Sequence, residues 1–509
     1  MANAINIPKS HLIMGLSLPL AVLLGYFVAE PMELGSMAVV VFVLVVLSIP
    51  LMLKGYYLLL VLSWKAGFAA AFLPGQPSLW AVMAFIGLLF AVLSRAVSPN
   101  ARFVVEPSIT KSLLALAAVV VGTGMVTGGF GSRILGSGHY GGKNYFYFVA
   151  VVAGYFVLTS RRIPPQRAGL YVALFFLSGL TSLVGDLAAL GGPRFNFLWL
   201  FFVPEDTLRE TALQGPLAAS DSMMRLSNLA VAAGALYAWL LARFGLRGLF
   251  DLTRPWRLLL LLLALAAGAL SGFRSFVVSA GLLFATMFFL EGLHRTRYLA
   301  LLLAVVFLGA VVVLPQAEKL PLPAQRALCF LPGKFNYVAS QSAATSLEWR
   351  LEMWKDVLPE VPKTLFRAKG WGLGARDFYT GVTMGDAGIA RSASILAGNY
   401  HNGPLSVIMP FGLYGAVAFV WFLAAGLRVL HRNWKFGTPA LRHVNTLLLA
   451  GFAAQVVFFF VFFGALESDM AGFVGTLGLS VALNGPGASL APAEEPATGV
   501  EFNTEYIKA

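Results

Sequence analysis

His401 is one of six histidines in 509 residues, within Asn399-Tyr400-His401-Asn402-Gly403-Pro404-Leu405, where a long mixed-charge segment gives way to an apolar run. An imidazole, with an unperturbed pKa near 6.5, is a suitable proton acceptor. Two readings fit the stretch: a base at membrane-surface depth, or a helix entry capped by Asn402, asparagine being a good N-cap. Arg274, in Leu270-Ser271-Gly272-Phe273-Arg274-Ser275-Phe276, stands between two apolar runs joined by a tight turn. It either snorkels to the interface or anchors an anion, because a guanidinium offers five donors in a fixed fork suited to phosphate oxygens. Arg350 lies in Ser346-Leu347-Glu348-Trp349-Arg350-Leu351-Glu352-Met353-Trp354-Lys355-Asp356-Val357-Leu358. There Leu347, Leu351, Trp354 and Leu358 recur at helical spacing, which predicts an amphipathic helix capped by Ser346 at a membrane face. Three separate segments thus supply one base and two cations.

The elements that must carry these residues are membrane spans. Hydrophobic residues make up 58% of the chain and charged residues 12%, against roughly 25% charged in a soluble domain. Blocks of helix-spanning length recur along it. We read about fourteen spans, at roughly 11–29, 35–53, 56–73, 79–94, 109–127, 144–160, 168–187, 226–242, 256–272, 274–290, 298–314, 403–427, 443–463 and 468–484. Basic residues concentrate on alternate links, among them Lys54, Arg95, Arg161, Arg162, Arg247, Arg257, Arg295 and Arg432. By the positive-inside rule both termini are cytoplasmic. The net charge of +13 is spread through these links, which is topology and not a nucleic-acid patch. A single cysteine, Cys329, excludes an internal disulfide.

Two longer links, 188–225 and 315–402, fall on the outer side together with Arg274, Arg350 and His401. A loop as long as the second implies function. Gly370-Trp371-Gly372-Leu373-Gly374 reads as a flexible bend and lacks the lysine spacing of a phosphate loop. Lys65 sits inside the third apolar run and marks either a path, a partner for a buried acid, or a misplaced helix; it is left out of the site. Asp186, Glu467 and Asp469 read as interfacial, solvated acids. The sequence holds no His-Glu-x-x-His, no Asp-x-Asp and no Cys/His cluster, so no metal is expected. It also lacks the Gly-x-Ser-x-Gly elbow of a serine hydrolase.

The order Ser271 to Ser275 around Arg274, then Glu348 to Trp354, then Gly370 to Gly374 followed by Phe378, then His401-Asn402 with Leu405, then Gly412-Leu413-Tyr414-Gly415 resembles the O-antigen ligase and polymerase family of bacterial envelope glycosyltransferases. The resemblance covers about residues 256 to 430, in a chain where phenylalanine and serine flank Arg274. It implies an all-α, polytopic transmembrane bundle of GT-C type with a large extracytoplasmic loop. The expected organisation is an N-terminal bundle (1–255), the family-like region (256–430) with its loop 315–402, a C-terminal hairpin (431–484) and a disordered cytoplasmic tail (485–509). The implied activity is metal-independent transfer of a glycan from undecaprenyl diphosphate to a hydroxyl at the outer face of the bacterial cytoplasmic membrane, with no cofactor. The acceptor is a glycan, lipid A core or a protein; nucleic acid is not a partner, and membrane lipids surround the bundle.

In this reading His401 activates the acceptor, Arg274 and Arg350 bind and neutralise the diphosphate, and Asn402 orients the base or the acceptor. One base without a carboxylate nucleophile implies inversion at the anomeric carbon. Ligase, polymerase and protein O-oligosaccharyltransferase stay open as subclasses. A lipid-linked glycan flippase and a non-catalytic assembly scaffold are the competing classes, although no repeated half of a transporter is visible.

Overall fold

A computed structural model describes residues 22, 25, 49–50, 52–71, 75–97, 103–130, 142–205, 208–209, 225–371, 394–395 and 398–485. The expected spans 11–29 and 35–53 lie almost wholly outside them, as do Phe378 and the tail from residue 486. The chain divides into two compact units, residues 1–57 and 58–509, and every labelled element belongs to the second.

The described residues are helical, with isolated bridges at Phe68–Phe202 and Ala69–Ser78 in place of sheet. In chain order the main helices are α1 (Leu79–Val97), α2 (Pro107–Thr127), α3 (Gly142–Leu158), α4 (Ala168–Leu177), α5 (Leu183–Gly191), α6 (Ser227–Leu249) and α7 (Pro255–Leu270). They continue with α8 (Arg274–Leu290), α9 (Arg297–Val313), α10 (Leu322–Leu328), α11 (Tyr337–Val357), α12 (Gly403–Phe436), α13 (Arg442–Val461) and α14 (Leu466–Asn484). Among the described residues, seven helical segments are long and apolar enough to cross a membrane, and Met52–Ser63, α3, α7 and α8 are shorter apolar helices. This is an all-α polytopic membrane protein.

One expected span ends early, and another lies within Pro165–Gly191, which is long and apolar enough to cross a membrane, but tightens midway. The run expected at 56–73 leaves helix after Ser63. That at 168–187 tightens to a 3₁₀ turn over Ser178–Ser182, between α4 and α5. The hydroxyls of Ser178, Thr181 and Ser182 donate to carbonyls three residues back, a local pairing that suits the tighter turn.

The bundle core joins α12 to α2 and α13, α14 to α3, α3 to α1, and α8 to α13, with α6 between α7 and α13. Phe419, Phe452, Phe459 and Phe473 form its ring cluster, each buried and with centroids 5.1 to 6.0 Å apart. α9 differs: none of its residues is buried, and its main neighbours are the turns at its own two ends.

The segment before α12 is moored where that helix bends. Pro410 and Gly412, whose φ of +61° suits glycine, interrupt the helix ladder. The groups they release are paired outside the helix: the Pro410 carbonyl accepts from Gly370 N at 2.7 Å, and Leu413 N donates to the Leu365 carbonyl at 2.8 Å. Trp371 is then buried against Tyr145, Phe148 and Phe411, and its backbone N–H donates to the Tyr145 hydroxyl at 2.8 Å. The start of the glycine-rich stretch is thus an anchor and not a flexible bend; its remainder lies outside the described residues.

Candidate active site

α11 carries Arg350, but it begins earlier than its apolar pattern predicts. Asn336, not Ser346, caps it by accepting from Val338 N at 2.9 Å. Leu347, Leu351 and Leu358 are exposed, whereas Ala339, Ala343, Met353 and Val357 are buried. With Ser346 and Arg350 these small and polar positions form one stripe at alternating four- and three-residue spacing. Arg350 therefore sits on the packed face. Around it Met353 and Val357 join Tyr400, Leu405 and Met409 in a small core, flanked by Trp349 and Trp354. Trp354 Nε1 donates to the Tyr400 carbonyl at 2.9 Å, fixing α11 to the residue before His401.

His401 has a φ of +48°, uncommon for a residue with a Cβ. The surroundings impose it. Asn402 caps α12 through Oδ1, accepting from Leu405 N at 3.1 Å, and Gly403 lies so close to Phe459 that a methyl there would collide with its carbonyl oxygen. His401 is left between Trp349, edge-on with ring centroids 5.3 Å apart, and Phe463 at 5.2 Å. Its Nδ1 is buried and has no hydrogen-bond partner. Burial, and then the positive charge of Arg350, push its pKa down to about 4. The Arg350 guanidinium lies over the same Phe463 ring, 5.4 Å from its centroid.

Arg274 opens α8 and does not stand alone. Its Nη2 donates to the Ala343 carbonyl on α11 at 3.0 Å, bringing the tight turn to the Arg350 helix. Leu226 N donates to the Ser271 carbonyl at 3.0 Å and so ties Arg225 to the same turn. Arg326 of α10 completes the group: Nε donates to Ser342 Oγ at 3.1 Å, Nη2 to Ser346 Oγ at 3.4 Å, and Nη1 to the Gly272 carbonyl. Burial, then Arg274 and Arg225, hold the Arg350 guanidinium below its ordinary range. The sequence reading missed Arg225 and Arg326; the one available signal was an arginine inside the otherwise uncharged Leu322–Leu328.

Behind Phe463 a cavity of about 680 Å³ opens between α6, α8 and α13, lined mainly by apolar residues and including Phe273, Ser275 and Phe276. Lys65, beyond the end of its helix, lines it, with Nζ 5.3 Å from the Phe176 ring and 5.7 Å from that of Phe175. Asp469 lines it too, and accepts from Ala465 N at 2.9 Å. The acids read as solvated are packed into the protein: Asp186 is 5% exposed and accepts from Glu205 N and Asn228 Nδ2, each at 2.8 Å, and Glu467 Oε2 is buried without a partner.

Four arginines from separate segments thus form a cationic cluster, and an unpartnered imidazole shares an aromatic ring with one of them. Among the described residues, no three His, Cys, Asp or Glu side chains converge as a metal site would require. No curated protein matches the chain. Residues 258–420, which hold Arg274, Arg326, Arg350 and His401, match the family model described as O-antigen ligase, so this part of a multi-pass membrane protein is similar to that family.

Proposed function

We propose that the protein transfers a glycan from undecaprenyl diphosphate to an acceptor hydroxyl at the outer face of the cytoplasmic membrane, without a metal and with inversion. The observation that carries this reading is the meeting of His401 and Arg350 on the Phe463 ring, with Arg274 tied to the same helix through Ala343. The apolar cavity reaching Phe463 suits the lipid chain of such a donor.

A sugar hydroxyl is a poor nucleophile at neutral pH. In this mechanism the His401 imidazole takes its proton while the hydroxyl oxygen forms a bond to the anomeric carbon. The bond from that carbon to the diphosphate oxygen breaks on the opposite face, and its electron pair leaves with the diphosphate. Arg350 and Arg274 meet the growing negative charge, an electrostatic contribution of about 3 kcal/mol per well-placed donor. Asn402 spends Oδ1 on the cap, so its role is to fix the strained His401 backbone, with its amide Nδ2 left to meet the acceptor.

Donor binding also prepares the base. A diphosphate on Arg350 offsets the charge that depresses the imidazole, so its proton affinity rises when the donor is in place.

The test is turnover by purified protein on a defined lipid-diphosphate glycan. His401→Ala is expected to retain donor binding and lose about 10² to 10⁴ in transfer rate. Near-normal turnover of a folded His401→Ala protein refutes the base assignment, and absence of turnover by the wild type across glycan, lipid A core and protein acceptors refutes the transferase reading. Elongated lipid-linked chains as product mean a polymerase; glycan on lipid A core or on protein means a ligase or an oligosaccharyltransferase.

A further inference from the structure

Arg326 is 4% exposed, and all three of its donor nitrogens are engaged, yet every partner is a neutral oxygen: two serine hydroxyls and the Gly272 carbonyl. A buried charge without a counter-ion is costly even when it is hydrogen-bonded. The surroundings deepen the cost. The charged side chains acting on Arg326 include three arginines, 225, 274 and 350, which together with burial bring its pKa down to about 10. Among the described residues the ion pairs, made by Glu360 and Glu106, lie elsewhere.

A fold has little reason to assemble such a group unless something anionic completes it. The position of Arg326 says which anion. Gly272, to which it donates, lies two residues before Arg274, and Ser342 and Ser346 belong to the helix that carries Arg350. The α10 helix packs on α7, α8 and α11 together, so one side chain ties the turn before one phosphate-binding candidate to the helix bearing the other.

We propose that Arg326 is a positioning residue of the donor site, holding Arg274 and Arg350 to one diphosphate, and that the bound diphosphate supplies a counter-charge that no described side chain supplies there. This rests on the reading of Arg274 and Arg350 as phosphate ligands. It also has a consequence that a structural arginine lacks: removing Arg326 relieves the unliganded protein and weakens the liganded one.

The experiment compares thermal unfolding of the full-length protein in detergent micelles with and without inorganic pyrophosphate, for wild type, Arg326→Met, Arg326→Lys and Arg350→Gln. The wild type is expected to gain stability with pyrophosphate. Arg326→Met should melt at or above the wild type without ligand and bind pyrophosphate at least about tenfold more weakly, because the turn before Arg274 and the helix bearing Arg350 are no longer tied together and one nearby positive charge is gone. Arg326→Lys keeps the charge but cannot span three oxygens, so it should regain part of that affinity.

Destabilisation of unliganded Arg326→Met with wild-type pyrophosphate affinity overturns the proposal and makes the residue structural. If the methionine variant does not fold, the lysine variant decides: affinity equal to wild type overturns the proposal, and weakened binding by a folded protein upholds it. A wild type that ignores pyrophosphate sinks the underlying phosphate reading along with this one. A wild type that responds, an Arg350→Gln that does not, and Arg326 variants that respond fully sink this proposal alone.

Discussion

Acidification tests the proposed base directly. Protonation removes the imidazole lone pair, so transfer is lost as the pH falls through the pKa of His401, which burial and Arg350 hold at about 4 in the unliganded protein. At pH 5.5 such a group is still about 97% neutral, whereas an imidazole at the ordinary 6.5 would be only about 9% neutral. The pH profile of kcat/KM, which reports the free enzyme, is therefore expected to stay flat to below pH 5.

The profile of kcat reports the donor complex and should differ. His401 and Arg350 lie 5.2 and 5.4 Å from the centroid of one phenylalanine ring. At a separation of about 10 Å and an effective dielectric of about 20, their repulsion is about 1.7 kcal/mol, or about 1.2 pKa units. Neutralising Arg350 with diphosphate should raise the kcat midpoint by about one unit, and Arg350→Gln should raise the kcat/KM midpoint by a similar amount. The assay is initial-rate transfer from a lipid-diphosphate glycan between pH 4 and 8. A wild-type kcat/KM midpoint near 6.5, or an unchanged midpoint in Arg350→Gln, would refute the reasoning.

Three further outcomes are expected. Arg350→Lys keeps the charge but loses the planar fork, and should cost about 10- to 100-fold in transfer, in line with about 1.5–3 kcal/mol for a charge-assisted bond; full activity would reduce Arg350 to a packing residue. Gly403→Ala forces its methyl against the Phe459 carbonyl oxygen and should lower stability by about 1–3 kcal/mol, read as a drop in Tm; an unchanged Tm would show that α12 and α13 can separate freely. With Cys329 replaced, a cysteine at Ser394 should react with an impermeant thiol reagent in intact spheroplasts, because the proposed orientation puts this segment outside; labelling only after lysis would reverse it.

Composition and apolar block length were enough to identify a membrane helix bundle, since both follow directly from the thickness of hydrocarbon. Arg274 and His401 were visible as chemistry-bearing residues because each interrupts or borders an apolar run, and Arg350 because it falls in a helical pattern within the long link 315–402. The protein-facing side of α11 was not legible. Periodicity locates the apolar stripe of Leu347, Leu351 and Leu358, but the stripe that meets protein is built from Ala339, Ala343, Ser346 and Arg350. Small residues permit close approach of helices where lipid already satisfies the large apolar ones. Arg326 escaped for another reason: its burial arises from α7, α8 and α11 closing around seven residues, and no local pattern records that enclosure. The tightening at Ser178–Ser182 had a signal in its hydroxyl residues, outweighed by the apolar sequence on both sides.

α9 has a different bearing on how the chain tolerates change. Lacking any buried residue, it rests on its hydrophobicity, on its two end turns and, at its start, on the stacking of Tyr298 with Phe250. Mutational tolerance should follow from that. Exchanging one large aliphatic residue for another along Leu299–Val313 leaves transfer out of water unchanged and disturbs no partner, so a saturation scan should read as a plateau broken only by charge and proline. The same exchanges in α14, where Phe473, Val474, Leu477 and Leu479 are fully enclosed, meet neighbours on every side and should show a sharp, position-by-position penalty. The two helices thus carry unequal amounts of information per residue: one encodes little beyond its solvent, the other an individual fit at each buried position.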